Sequence, residues 1–394
     1  MSLIKRTLAI IAAIVLFGTG TVSAQATNDT VVYLITCNPG TETYSIYGHS
    51  ALRIVNNVNK TDLVYNWGVF DFNTPNFAWK FTQGRLDYML ITEQMEDFLR
   101  TYLYERRAVY SQRINLQPDE IRTLMTLISI NLRPENVRYR YDFFYDDCST
   151  RIRDLIEKSL GNKLLYPPEE TIEHFTFRDL TGKYQAQYPW LRFGIDLLMG
   201  LPGDKTASFR EMMFLPVDMQ NGLSETLVKR EGKMVPLLSN PEILLDFELP
   251  EAKGSRLLAP ENVFSAVLIV LIIIIPLLKN RKIVNGIDIG IFLIASALAV
   301  LIIFLSLFTG HQQMKFNLNI LWLNPILILC LIQLILNRSG IIWFRIVFFI
   351  SIIFLVVHFL LPQDFNPGVL PLTLIIAYRS SARSAFSWNP FTLK

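Results

Sequence analysis

Short alternating runs dominate the first part of the chain. Residues 31–37 (Val-Val-Tyr-Leu-Ile-Thr-Cys) predict a strand ended by Asn38-Pro39-Gly40. Ala51, Arg53 and Val55 alternate with Leu52 and Ile54, which predicts a second strand with His49 at its start. After the turn 56–62, residues 63–70 predict a third. Short strands with polar turns imply an antiparallel sheet. Helical periodicity follows. Thr92–Arg107 is expected as a Thr-capped helix with Met95, Phe98, Leu99 and Leu103 on one face. Pro118 opens a helix over Asp119–Leu132, and a third runs from Cys148 to Leu160, with Asp147 as its N-cap and Gly161 past its end. Residues 162–261 read as a helical and loop-rich connector with many prolines.

From Asn262 onward the pattern changes to apolar runs at about 263–278, 287–309, 319–336, 342–361 and 368–379. A span needs about 20 residues. The third run is interrupted by Asn324-Pro325, and the fifth is short and contains Pro371. Lys279, Arg281, Lys282, Arg338, Arg379, Arg383 and Lys394 all fall on one side if the five runs cross the membrane and the N-terminal region is exported. Lys5-Arg6, an apolar stretch 8–17 and Val22-Ser23-Ala24 form an export signal with cleavage expected after Ala24.

Composition sharpens this picture. The 394 residues are 51% hydrophobic and only 18% charged, against about 25% in soluble proteins. With 37 Lys+Arg against 34 Asp+Glu the chain is too balanced for a nucleic-acid binder. Three cysteines exclude a disulfide scaffold and a four-cysteine zinc site. A membrane protein with an exported part remains: signal peptide 1–24, catalytic domain 25–161, connector 162–261 and an all-α transmembrane domain 262–394.

The candidate chemistry lies at His49 and Cys148. A cysteine in the first turn of a helix has its thiolate stabilised by free backbone N–H groups and the helix dipole. A histidine at the mouth of the adjoining sheet could take its proton, and the same N–H groups could hold an oxyanion. A polar residue on the neighbouring strand could orient the imidazole; Asn66 is the first choice and Asp71 the second. Cys37 ends the strand before His49, so a Cys37–Cys148 disulfide is conceivable, against the alternative of a small buried strand residue. Cys330 reads as packing within a membrane helix. His311, Gln312, Gln313, Lys315, Asn317 and Asn319 gather just before the third apolar run as a headgroup or docking surface, and Asn324 inside that run needs a partner. No metal or other cofactor is expected: His174 has no nearby His or Cys, and His311 and His358 lie in different segments.

Gly48-His49-Ser50-Ala51, followed far later by Asp147-Cys148-Ser149-Thr150, resembles the permuted papain-like branch of the NlpC/P60 superfamily, in which histidine precedes cysteine. Four segments together look like the Lnb-type lipoprotein N-acyltransferases: Tyr47-Gly-His-Ser-Ala-Leu-Arg53, Tyr65-Asn-Trp-Gly-Val-Phe-Asp-Phe72, Tyr145-Asp-Asp-Cys-Ser-Thr-Arg151 and Met213-Phe-Leu-Pro216. Asp147 stands where asparagine is frequent in that family. The resemblance implies an α+β papain-like exported domain followed by five transmembrane helices, in the bacterial inner membrane with the catalytic domain in the periplasm. It also implies a thiol acyltransferase with Cys148 as nucleophile and His49 as base, to which triad logic adds Asn66, or else Asp71, as third member. Tyr47, Ser50 and Arg53, around His49, and His311 at the outer interface are the expected substrate contacts. The implied donor is a membrane phospholipid, and the acceptor is the α-amine of a lipoprotein's S-diacylglyceryl-cysteine. The alternatives are a cysteine hydrolase (wall-peptide amidase or phospholipase A) and a non-enzymatic tethered binding protein.

Overall fold

The computed structural model describes residues 29–249 and 256–384. The expected export signal lies outside them. Ten strands are described: β1 (Thr30–Cys37), β2 (His49–Asn56), β3 (Thr61–Val69), β4 (Asp87–Gln94), β5 (Val109–Arg113), β6 (Arg138–Arg140), β7 (Leu164–Leu165), β8 (Leu227–Arg230), β9 (Lys233–Pro236) and β10 (Glu242–Leu245). Seven form one antiparallel sheet in the order β10-β5-β1-β2-β3-β4-β6, and β7-β8-β9 form a small second one.

The main sheet is buried on both sides, as its apolar alternation requires. Val32, Leu34, Leu52, Ile54, Tyr65 and Trp67 face two helices, α3 (Pro118–Asn131) and α4 (Cys148–Leu160). The opposite parity, Ile35, Cys37, Ala51, Val64 and Val109, faces Met95, Phe98 and Tyr102 of α2 (Met95–Glu105). A short helix, α1 (Phe77–Thr82), lies between β3 and β4. The helix expected from Thr92 begins three residues later, because Ile91–Gln94 pair with Leu63–Asn66 as strand. The ladder hydrogen bonds offered by β3 outweigh the capping tendency of Thr92.

The segment read as a connector is woven into the exported domain. It supplies the edge strand β10, paired to β5. It also carries α5 (Phe177–Gln185), α6 (Pro189–Leu198) and α7 (Pro216–Glu225). Met219 and Leu223 of α7 enter the core between sheet and α4, whereas Phe193 and Leu197 of α6 enter the core of the membrane region.

Every apolar run forms a helix: α8 (Pro260–Leu277), α9 (Arg281–Phe308), α10 (Ile326–Ile335), α11 (Ile341–Val357) and α12 (Val369–Arg383). They are not five equal spans. Among the described residues three helices are long and apolar enough to cross a membrane, and the third run is a pair bent by 57° at Asn324-Pro325. Asn324 serves this break, its Oδ1 accepting the Ile326 N–H at 3.1 Å. α12 has only 15 residues. It runs from Gly368, packed on Phe193 and Pro260 beside the exported domain, to Arg379 and Arg383, which bond Asp288 near the opposite end of α9.

Candidate active site

Cys148 opens α4. Asp147 is the N-cap: its Oδ1 accepts the Thr150 N–H at 2.8 Å, and the Thr150 hydroxyl accepts the Asp147 N–H at 2.7 Å. This reciprocal box directs the carboxyl into the cap, where burial, and after it the neighbouring Cys148, hold its pKa well above the usual carboxylate range. A carboxyl held toward its neutral form interferes little with the adjacent thiol. Burial also raises the Cys148 thiol, opposed by hydrogen bonds from the Ser50 backbone and from Ser149. The Ser50 and Ser149 hydroxyl oxygens lie 3.4 Å apart beneath it.

The His49 imidazole is held through Nε2, 2.7 Å from Asn66 Oδ1. Asn66 Nδ2 in turn donates to Glu93 Oε1 at 3.0 Å. With the Asn66 carbonyl as acceptor, Nε2 carries the proton and Nδ1 is the free base nitrogen. Burial lowers the His49 pKa, and the Asn66 bond works against that shift.

His49 and Asn66 share the sheet parity that faces α2, whereas Cys148 belongs to a helix on the other side. They approach each other at the strand ends, where β3 is irregular between Asn66 and Val69. Gly68 sits in that irregularity at φ 88°, a conformation that glycine adopts without strain. A Cβ on it would stand 3.5 Å from Cys148 Cβ and 3.9 Å from both His49 Cε1 and Tyr141 Cε2. Cys148 Cβ, the His49 imidazole and the Tyr141 ring therefore surround one small gap in the sheet.

Tyr141 leads from that gap into a cavity of about 300 Å³ between the exported domain and the loop after α9. Its walls are mainly apolar and include Tyr47, Tyr88, Phe143, Leu198, Met314 and His311. Tyr88 stacks on Tyr141 with centroids 4.4 Å apart. Tyr141 is thus shared by the Cys148–His49 gap and by an apolar chamber that the membrane region's loop helps to wall.

The other expected site residues divide. Tyr47 lines the chamber, its hydroxyl accepting from Gln185 Nε2 at 2.7 Å. Ser50 is fully buried and meets the sulfur through its backbone. His311 lines the chamber as well, with Nε2 2.9 Å from the Phe81 carbonyl oxygen. Arg53 does not reach the site. It lies four residues along β2, about 13 Å from His49 at strand rise, and its guanidinium grips Asp62 at 2.7 and 2.6 Å. Asp71 is exposed in a turn, where it accepts the Asn73 N–H at 2.8 Å.

Cys37 and Cys148 are both free thiols. The register pairs Cys37 with His49 across β1 and β2, but the Cys37 side chain packs in the α2-side core while Cys148 packs in the α4-side core. Burial pushes the Cys37 thiol up to about 12. The polar group around His311 turns out to be a seam within the chain. Gln313 Nε2 donates to Asp142 Oδ1 at 2.6 Å, Asn317 Nδ2 to the Leu197 carbonyl at 2.9 Å, and Asn319 Nδ2 to the same carbonyl at 3.1 Å. These amides dock α6 on the membrane region. Among the described residues no group of three or more His, Cys, Asp or Glu side chains is arranged to hold a metal ion.

Glu93, Gly68 and Tyr141 were not singled out from the sequence. Glu93 was hidden because its strand read as the start of a helix. The Trp67-Gly68-Val69 interruption of an apolar strand was the available signal for the bulge.

A model of the Lnb N-terminal periplasmic domain matches residues 20–183, and one of the Lnb transmembrane domain matches residues 252–388. No curated protein and no solved structure matches the chain. The two matches follow each other in order, and the α+β region followed by an all-helical one agrees with them. The chain belongs to the Lnb family, as a membrane protein whose N-terminal domain is periplasmic.

Proposed function

We propose that this protein is an inner-membrane thiol acyltransferase that moves an acyl chain from a membrane phospholipid, through a Cys148 thioester, to the α-amine of S-diacylglyceryl-cysteine at a lipoprotein N-terminus. The observation that carries the reading is the apolar chamber that Tyr141 joins to the Cys148 gap, walled on one side by the membrane region's own loop. A wall-peptide amidase has no use for such a chamber in that place.

In the first half-reaction His49 Nδ1 takes the thiol proton as Cys148 Sγ attacks the ester carbonyl. Collapse of the tetrahedral intermediate breaks the ester C–O bond, and the imidazolium returns its proton to the leaving alcohol, giving lyso-lipid and thioester. In the second, the α-amine attacks the thioester carbonyl and loses a proton to His49. The C–S bond then breaks and the thiolate recovers that proton. A neutral imidazole and a buried thiol are the resting forms that burial favours, so the pair begins uncharged. Asn66, backed by Glu93, fixes the ring so that Nδ1 stays the base. The Cys148 and Ser149 N–H groups at the start of α4, which the Asp147 cap does not take, would face the oxyanion.

The test is mass spectrometry of the N-terminal lipopeptide of a reporter lipoprotein, in a host lacking its own N-acyltransferase that expresses the parent chain or Cys148→Ala. A third acyl chain with the parent alone is expected. An unmodified amine in both, with expression verified, would overturn the transferase reading in favour of a hydrolase or a binding protein; release of lyso-lipid by the parent without amine acylation would single out a phospholipase A.

A further inference from the structure

The segment between β3 and β4 is apolar where a surface segment of a water-facing domain should not be. Phe72, Trp79 and Phe81 are 68%, 55% and 51% exposed, and no residue of α1 is buried. Their rings run in a contiguous series, Phe70 to Phe72, Phe72 to Phe77 and Phe77 to Phe81, with centroids 4.8, 5.2 and 6.2 Å apart. Trp79 continues the series onto the membrane region by stacking on Phe304 of α9 at 5.8 Å. Leu307 and Phe308, at the end of α9, are exposed alongside.

The height of this segment relative to the bilayer is set by α9. The apolar stretch 289–308 is about 20 residues, or roughly 30 Å at helical rise, which is the hydrocarbon thickness. Phe304 is therefore within the outer edge of the hydrocarbon layer, and Trp79 lies against it. The backbone holds this register. Gly310 N–H donates to the Gln83 carbonyl at 2.8 Å, and His311 bonds the Phe81 carbonyl. Gly84 and Gly310 touch so closely that a Cβ on Gly310 would stand 3.0 Å from Gly84 O. Lys80 stands in the last turn of α1 and Arg85 is exposed just after it, and neither forms an ion pair with an acidic side chain among the described residues. Aromatic rings at the interface with basic side chains beside them match a glycerophospholipid: rings at the headgroup–chain boundary, cations at the phosphate. Phe81 and Gly84 also belong to the chamber wall.

We propose that the 70–85 segment is a phospholipid-binding port: it sits in the outer leaflet, binds the phosphate of a bilayer glycerophospholipid through Lys80 and Arg85, and passes the acyl chain over Phe81 into the chamber beside Cys148. The second half of this statement rests on the acyl-transfer reading; the lipid contact does not.

The full chain in phosphatidylethanolamine–phosphatidylglycerol nanodiscs separates the two. A photo-crosslinking p-benzoylphenylalanine at position 79 is expected to form phospholipid adducts, and the same group at Val58, exposed in the β2–β3 turn, is not. Absence of lipid adducts at 79, or equal adducts at both positions, would overturn the port. Trp79→Ser with Phe72→Ser, which leaves the chamber wall intact, is expected to slow lyso-lipid release from the bilayer by about tenfold, given the interfacial burial lost. Its rate of Cys148 acylation by a water-soluble short-chain aryl ester should be unchanged. Equal loss with both substrates would mean a merely structural segment and would sink the entry role. A parent chain that crosslinks lipid at 79 yet releases no lyso-lipid would leave the lipid contact standing and remove the acyl-transfer reading instead.

Discussion

Two buried polar groups in this molecule are built on opposite principles. In the periplasmic domain His49 is hydrogen-bonded to Asn66, Cys148 is bonded through Ser50 and Ser149, and burial favours the neutral forms of thiol and imidazole. In the membrane domain Asp288, with no exposed surface, is gripped by Arg379 Nε at 2.6 Å and Nη2 at 3.2 Å, and by Arg383 Nε at 2.6 Å. The first group starts neutral and can pass a proton from thiol to imidazole, which makes a matched ion pair rather than a lone charge and suits chemistry. The second ties α9 to α12 with charges that must remain paired, which suits architecture. The difference suggests that substitutions in the first should change rate at constant stability, and in the second the reverse.

The largest expected effect on the reactive side is from His49→Ala, which should lower Cys148 acylation by a short-chain ester about 10³-fold. The thermal midpoint of the detergent-solubilised protein should hardly move; a collapse in folding would place His49 with the architectural group. On the other side, Asp288→Asn leaves Arg379 without its carboxylate and should cost about 3–5 kcal/mol. That loss should show as a poor yield of monodisperse protein, while the surviving fraction retains its acylation rate per molecule. Gly68→Ala lies between the two kinds. It forces a side chain to φ 88° at a cost of about 1–3 kcal/mol, and should reduce both midpoint and rate, because the added Cβ falls between Cys148 and His49.

The smallest effect is the most discriminating. Protonation of His49 removes the base, and burial lowers its pKa from 6.5, so the acid limb of kcat/KM should fall below pH 6.5. The thiol is raised above 9.0, so no second rise is expected until beyond pH 9. The Asn66 bond favours the imidazolium, hence Asn66→Ala should move the acid limb further down, besides slowing the reaction about tenfold. A limb that stays in place would reduce Asn66 to a packing residue.

Much of the frame was legible because local signals agreed with the tertiary outcome. The first three strands follow from apolar alternation, and Asp147-Cys148-Ser149-Thr150 carries its own cap. Legibility failed where a long-range partner decided. Thr92 looks like a cap until β3 claims it as strand, and with it went Glu93, the residue behind Asn66. Arg53 looked like a substrate contact beside His49, but the β2–β3 pairing places Asp62 within its reach. The polar residues 311–319 read as a headgroup or docking surface; only the folded chain shows that α6 is what docks there. The third apolar run showed its break at Asn324-Pro325, though not the 57° bend there.

The glycine contact at 84 and 310, together with the amides that clasp α6, has a consequence for selectivity. A reactive centre riveted to the bilayer in this way works at one fixed altitude. Under the proposed reaction, a lipoprotein's first residue is moored by its own diacylglyceryl group and its amine arrives at that altitude, while lysines farther along the polypeptide pass above it. Such a protein need read no sequence in its clients: a ruler takes the place of a recognition code.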